Sequence, residues 1–258
     1  MSAPTAPQGF ADSLARLKGA QKSNAGAPLY SVLINRPLGR VFAALGHQVG
    51  LTPNGVTAIS AVFTFTGIIL VATMAPGWLT AVLVALCLVI GYALDAADGQ
   101  LARLRGGGSL LGEWLDHVID SFKIATLHLA VLVMAYRHFD SERWLLVPLG
   151  FAAVYVIHFF GMLLTDLLTR VHHAKLGQPA PKKGIASPLM SLAKLPTDYG
   201  FLALVFFTLG APVVFRWLYT LMFACTAAYT LLVLVRWARG IAALDEADRA
   251  RAARAVRG

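Results

Sequence analysis

Charge is scarce in this chain. Asp, Glu, Lys and Arg make up 14% of its 258 residues, against about a quarter in an average soluble domain. Hydrophobic residues reach 57% and mean hydropathy is +0.66, which excludes an ordinary water-soluble domain and points to a polytopic membrane protein. Acidic residues are the scarcest, 13 against 22 basic ones, and the formal net charge is +9. The basic residues sit between apolar segments rather than on one polar face, so a membrane surface is the anionic partner and nucleic acid is not. The two cysteines, Cys87 and Cys225, both lie inside apolar runs. That excludes a disulfide framework and leaves the redox compartment unread. Residues 1–28 lack the apolar core of a secretion signal, and no internal repeat is visible.

What is present is a series of apolar segments at about 53–75, 77–97, 110–136, 143–168, 199–215 and 217–236, each near the ~20 residues that cross a bilayer as a helix. The expected fold is an all-α integral membrane domain of six transmembrane helices, preceded by an interfacial amphipathic helix. Its divisions are a mobile tail over 1–28, an interfacial helix over 29–50, the membrane domain over 51–238 and a charged tail over 239–258. The tail holds one short amphipathic piece around Phe10 to Leu17. Within Leu29 to Gly46, Pro37 kinks or restarts the helix. Thr52 is placed to cap the next helix, with Pro53 as its first residue.

Charge sets the orientation. An inside N-terminus assigns to the cytoplasm Arg16, Lys18, Lys22, Arg36, Arg40, Arg103, Arg105, Arg170, Lys175, Lys182, Lys183, Lys194 and six arginines from Arg236 to Arg257. The other side keeps only Arg137, Arg143 and Arg216. The expectation is a multi-pass protein of the plasma membrane with both termini inside.

The stretch Leu94 to Lys123, LDAADGQLARLRGGGSLLGEWLDHVIDSFK, breaks the apolar pattern. Asp95, Asp98, Gly99 and Ala102 fall on one helical stripe beside Arg103, while Gly112, Asp116 and Asp120 recur every four residues on another. Carboxylates at the edge of an apolar span are costly without partners. Two facing helices would gather four of them, and such a cluster needs cations. Hard oxygen donors favour Mg²⁺, Mn²⁺ or Ca²⁺. Gly106, Gly107 and Gly108 make the tight connection between the two helices, with Ser109 placed to cap the second.

These residues, Asp95-x-x-Asp98-Gly99-x-x-Ala102-Arg103, eight further residues and Gly112-x-x-x-Asp116-x-x-x-Asp120, resemble the signature of the CDP-alcohol phosphotransferases at all eight fixed positions. The resemblance implies a homodimeric membrane enzyme that moves a phospho-alcohol from a CDP-linked donor to a hydroxyl acceptor and releases CMP. It assigns Asp95, Asp98 and Asp116 to metal ligation, with Mg²⁺ or Mn²⁺, two ions, as the cofactor. Asp120 becomes the general base and a further metal contact. Gly99, Ala102 and Arg103 match the donor-binding positions, where small residues admit the nucleotide and the guanidinium meets phosphate. Many relatives carry arginine after the last aspartate, whereas Ser121 stands here, so acceptor specificity does not transfer with the motif.

Other residues have two readings. Lys123 follows Asp120 by one turn: it either pairs with that carboxylate or meets an acceptor phosphate. Glu113 is a solvated or supporting residue, or a ligand. Arg170, His172, His173, Lys175, Lys182 and Lys183, placed in a loop after the fourth span, meet anionic lipid or form an acceptor-phosphate pocket. Adjacent His172 and His173 point apart on a helix and do not suit zinc. His128 and His158 read as buried, hydrogen-bonded residues. The stretch after the sixth span reads as a solvated, charged helix.

The favoured donor is CDP-diacylglycerol with a small alcohol or polyol phosphate acceptor, in phospholipid biosynthesis. The segments Ile34-Asn35-Arg36-Pro37 and Leu51-Thr52-Pro53-Asn54 look like members handling inositol phosphates. An alternative uses a soluble CDP-polyol such as CDP-inositol or CDP-glycerol. Of another class, a cation transporter would place its carboxylates near the midplane in repeated halves; here they cluster at one end. A catalytically silent relative would not need every motif position.

Overall fold

The computed structural model describes residues 9–19, 27–179 and 195–255. Among these residues every regular element is helical. The short helix α1 (Phe10–Gly19) buries Leu17 against Ala43, Ala44 and Leu101, so this part of the tail rests on the main body. A π-helical turn (Ser31–Asn35) leads into α2 (Arg36–Gln48), where Pro37 occupies the first turn. The backbone stays helical through Asn35 and Arg36, and only the hydrogen-bond pattern changes there, next to a proline that has no N–H to donate. The small residues Gly39, Ala43, Ala44 and Gly46 form the buried stripe of α2, and Leu38, Val41 and Leu45 are exposed on it.

The next helices are α3 (Pro53–Thr73), α4 (Trp78–Leu104), α5 (Leu110–His138) and α6 (Leu146–Lys175). Thr52 caps α3 by accepting from the Gly55 N–H at 3.1 Å. Ser109 caps α5 by accepting from Gly112 N–H at 3.0 Å. Helices α3 and α4 approach closely at Gly91, whose missing side chain makes room for Thr64 and for the Ser60 carbonyl. Ser60 Oγ donates to the Gly91 carbonyl at 2.7 Å, a polar tie between apolar helices.

Beyond α6 the structure departs from the hydropathy pattern. The segment expected over 199–215 forms only α7 (Tyr199–Val205), with a 3₁₀ extension over Phe206–Gly210. The chain breaks at Ala211, and α8 starts at Pro212 and runs unbroken to Ala255. Proline has no N–H to continue the preceding helix but fits the start of a new one. The 12 residues of Tyr199–Gly210 rise only about 20 Å, against ~30 Å of hydrocarbon. Among the described residues five helices, against the six segments expected, are thus long and apolar enough to cross a membrane. Helix α8, 44 residues long, also absorbs the expected charged tail as a direct continuation of the last span.

Buried Leu202, Phe206 and Leu209 of the short segment join Phe151, Phe215 and Tyr219 in the main core. His128 lies there, stacked on Phe151 at 4.0 Å between centroids, with Nδ1 2.5 Å from the Tyr219 hydroxyl. His158 Nδ1 is 3.1 Å from Thr230 Oγ1. His128 is a buried, hydrogen-bonded residue, as its sequence setting suggested, whereas His158 is hydrogen-bonded but only half-buried. Asp198 caps α7, accepting from Gly200 N–H at 2.9 Å and from Ser31 N–H at 3.1 Å. It ties the turn before α2 to the start of α7, and burial pushes its carboxyl above the usual range.

Candidate metal and nucleotide site

Helix α4 carries Asp95, Asp98, Gly99, Ala102 and Arg103 in its last turns, and α5 carries Gly112, Asp116 and Asp120 in its first ones. The reversal between them uses Gly106 and Gly107 at φ of 98° and 139°, a conformation that side chains with a Cβ resist. Both helices pack extensively on α3 and only sparsely on each other. Their facing stripes therefore meet through side chains across a gap.

The gap opens into a polar cavity of about 800 Å³. Gly99, Ala102 and Arg103 form one wall and Gly112, Asp116 and His117 another, while Thr52, Asn54 and Thr57 contribute the start of α3. Gly112 admits Asn54: a Cβ there would lie 3.2 Å from Asn54 Oδ1. All three residues matched to donor binding thus face the same space as two of the aspartates, Asp98 and Asp116.

The four aspartates and His117 form two overlapping trios. Ligand atoms of Asp95, Asp98 and Asp116 lie within 4.8 Å of one another, and so do those of Asp116, His117 and Asp120. Asp116 belongs to both. Carboxylate oxygens at this spacing suit a hard divalent cation, and a second group that shares a ligand suits a neighbouring ion. The donor set therefore fits the expected Mg²⁺ or Mn²⁺. His117 was not foreseen; as the immediate neighbour of Asp116 it falls off the four-residue stripe that revealed the aspartates.

Asp98 is held from two sides. Thr57 Oγ1 lies 2.5 Å from Asp98 Oδ2, and the Gly99 N–H donates to Oδ1. Thr57 Oγ1 also lies 3.1 Å from the Pro53 carbonyl of its own helix. Its single hydroxyl proton serves one of the two acceptors at a time. Such support from a neighbouring helix orients a ligand carboxylate. Thr57 too was missed in the sequence, where nothing distinguishes it from other threonines in an apolar span.

Asp95, Asp120 and Lys123 are not among the residues that line this cavity. Lys123 is 4% exposed, and its Nζ is 2.6 Å from Asp95 Oδ1 and 2.6 Å from Asp120 Oδ1. The sequence suggested the partner on its own helix but not the one across the gap. Glu113 pairs with Arg170 at 2.7 Å, joining α5 to α6. Arg170, His172, His173 and Lys175 therefore stand on the helical extension of α6 rather than in a loop. His172 Nδ1 lies 3.3 Å from Asp248 of α8. Lys182 and Lys183 fall outside the described residues. A separate hollow of about 780 Å³ between α5 and α6 is walled by Val156, Phe159, Phe160 and Leu163. It shares Leu110, Glu113 and His117 with the polar cavity and carries none of the four aspartates.

Together the fold and the site define a multi-pass helical membrane protein with a carboxylate centre at one end of a polar cavity. The chain belongs to the CDP-alcohol phosphatidyltransferase family, whose sequence profile matches residues 50–237. It is 34% identical over 94 residues to the archaetidylinositol phosphate synthase of Pyrococcus horikoshii. That stretch covers 36% of this chain and 47% of the relative, about half of the relative's length. Two crystal structures of Mycobacterium tuberculosis phosphatidylinositol phosphate synthase (PgsA1) overlap with the fold at 20% identity and a TM-score of 0.46. One is in complex with manganese and citrate and the other has CDP-DAG bound. Both comparisons cover 78% of this chain, and they cover 88% and 93% of the respective PgsA1 chains.

Proposed function

We propose that this protein transfers a phosphatidyl group from CDP-diacylglycerol to the hydroxyl of a small alcohol or polyol phosphate, releasing CMP, in phospholipid biosynthesis. The observation that carries this reading is that an aspartate trio and an Asp116–His117–Asp120 trio join at Asp116, which shares one cavity with Asp98, His117, Gly99, Ala102 and Arg103. Phosphoryl displacement needs charge neutralisation, alignment and a proton acceptor. A Mg²⁺ or Mn²⁺ ion held by Asp95, Asp98 and Asp116, and a second by Asp116 and Asp120, would supply the neutralisation and polarise the phosphorus.

The chain's own residues do the rest. Gly99 and Ala102 leave room for the nucleotide beside α4. Arg103 offers a planar set of N–H donors to the diphosphate. Asp120 accepts the acceptor hydroxyl's proton on the carboxylate oxygen that Lys123 does not hold. Asp98 of α4 and Asp116 of α5 face each other across the cavity, so donor and acceptor are held between the two helices and the displacement stays in line.

The lipid donor is favoured because the cavity sits at the ends of apolar helices, beside exposed Leu110, Leu111 and Trp114. A lipid-linked nucleotide can enter there without leaving the membrane. The name of the archaeal relative, archaetidylinositol phosphate synthase, supports a polyol phosphate acceptor. In this reading the exposed leucines and valine of α2 lie on the membrane, and Tyr199–Gly210 completes a sixth crossing with its ends in the interface. The positive-inside asymmetry puts both termini and the cavity in the cytoplasm at the plasma membrane, and family resemblance supplies the homodimer.

The donor is tested by CMP release from purified protein, with CDP-diacylglycerol, CDP-glycerol and CDP-inositol each crossed with glycerol 3-phosphate, inositol, inositol 3-phosphate and serine. Release from CDP-diacylglycerol with a polyol phosphate is the expected result. Release from a soluble CDP-polyol alone would replace the lipid donor.

A further inference from the structure

Lys123 is the one lysine among the described residues that is buried, and it is placed where a cation would otherwise go. Its two partners belong to different trios: Asp95 to the first, Asp120 to the second. The side chain starts on α5 and crosses the gap to α4, so one ammonium takes an oxygen from each prospective ion. Four carboxylates carry four negative charges. One divalent ion with Lys123 leaves one negative charge, whereas two divalent ions with Lys123 would leave one positive charge before any substrate arrives.

We infer that Lys123 is a tethered counter-cation that makes the two ion positions unequal: one divalent ion binds without substrate, and the second binds weakly until a substrate diphosphate adds negative charge. The inference rests on the metal site proposed above and deepens it. A lysine head is compact and strongly hydrated, held here by two charge-assisted contacts of 2.6 Å. A second ion has to draw Asp120 from the ammonium or share it. The diphosphate compensates for that by bringing oxygen ligands and charge of its own, which couples ion loading to donor binding. Lys123 then acts before chemistry, by keeping the site from filling with two ions in the absence of substrate. Its burial and its pairing with two acids leave it little to offer an acceptor phosphate.

The test is Mn²⁺ binding to the purified full-length protein in detergent, read from the electron paramagnetic resonance signal of free Mn²⁺, alongside steady-state CMP release. The wild-type protein is expected to bind one Mn²⁺ tightly and a second at least about tenfold more weakly. A non-hydrolysable CDP-linked diphosphate should strengthen the second. Lys123→Met should narrow the difference between the two sites to less than about threefold by strengthening the second, and Lys123→Arg should retain the wild-type difference. Two equal sites in the wild-type protein would overturn the inference without recourse to any variant. So would Lys123→Met with unchanged Mn²⁺ binding and a raised KM for the acceptor alone, which would make Lys123 an acceptor contact. Absence of any Mn²⁺ binding by wild-type protein would overturn the metal site itself and this inference with it, whereas the other two results leave that site standing.

Discussion

Replacing Asp116 with asparagine is expected to lower CMP release by about 10³-fold or more and to remove Mn²⁺ binding from both positions. Asp116 is the side chain common to the two trios, so its loss takes a ligand from each. Asparagine keeps the shape and one oxygen but removes the charge that a hard cation requires. The substitution leaves the exposed start of α5 and its Ser109 cap in place, and helical content measured by circular dichroism should not change. A loss of only a few fold, with Mn²⁺ still bound, would place the ions elsewhere.

Asp120→Asn separates the proton acceptor from the ion site. Asparagine cannot take the acceptor hydroxyl's proton, so kcat should fall about 10²–10⁴-fold, while KM for the CDP-linked donor stays within a factor of a few. The first trio, Asp95, Asp98 and Asp116, is untouched, and one Mn²⁺ should still bind. Lys123 keeps its contact with Asp95 at 2.6 Å. A kcat near the wild-type value would remove Asp120 from the role of base. A loss of the tight ion would show that its carboxylate holds metal first and accepts a proton second.

Features written into local chemistry were legible in the sequence. Thr52 and Ser109 cap the helices expected of them, and Pro37 stands in the first turn of α2. The four aspartates gather because their spacing puts each pair on one face of a helix. What could not be read depends on which helix lies against which. Thr57 reaches Asp98 only because α3 packs beside α4. Lys123 finds Asp95 as well as Asp120 only because α5 faces α4 across the gap.

The fifth apolar segment forms a shorter helix than its composition suggests, for a related reason. Apolar composition over 199–215 reports burial, and buried Leu202, Phe206 and Leu209 meet part of that need inside the protein core. Hydropathy alone does not distinguish protein core from lipid. The helical reach of α6 to Lys175 and of α8 to Ala255 was likewise hidden. Charged residues ended the apolar pattern there but not the helix, because Glu113–Arg170 and His172–Asp248 pairs continue the packing beyond the apolar zone.

The most direct measurement is CMP release from CDP-diacylglycerol by the purified protein, with the acceptor panel present, before and after chelation by EDTA and again after Mg²⁺ or Mn²⁺ is restored. The account predicts release that stops with chelation and returns with either ion. Release indifferent to EDTA would contradict the carboxylate centre as the seat of the chemistry.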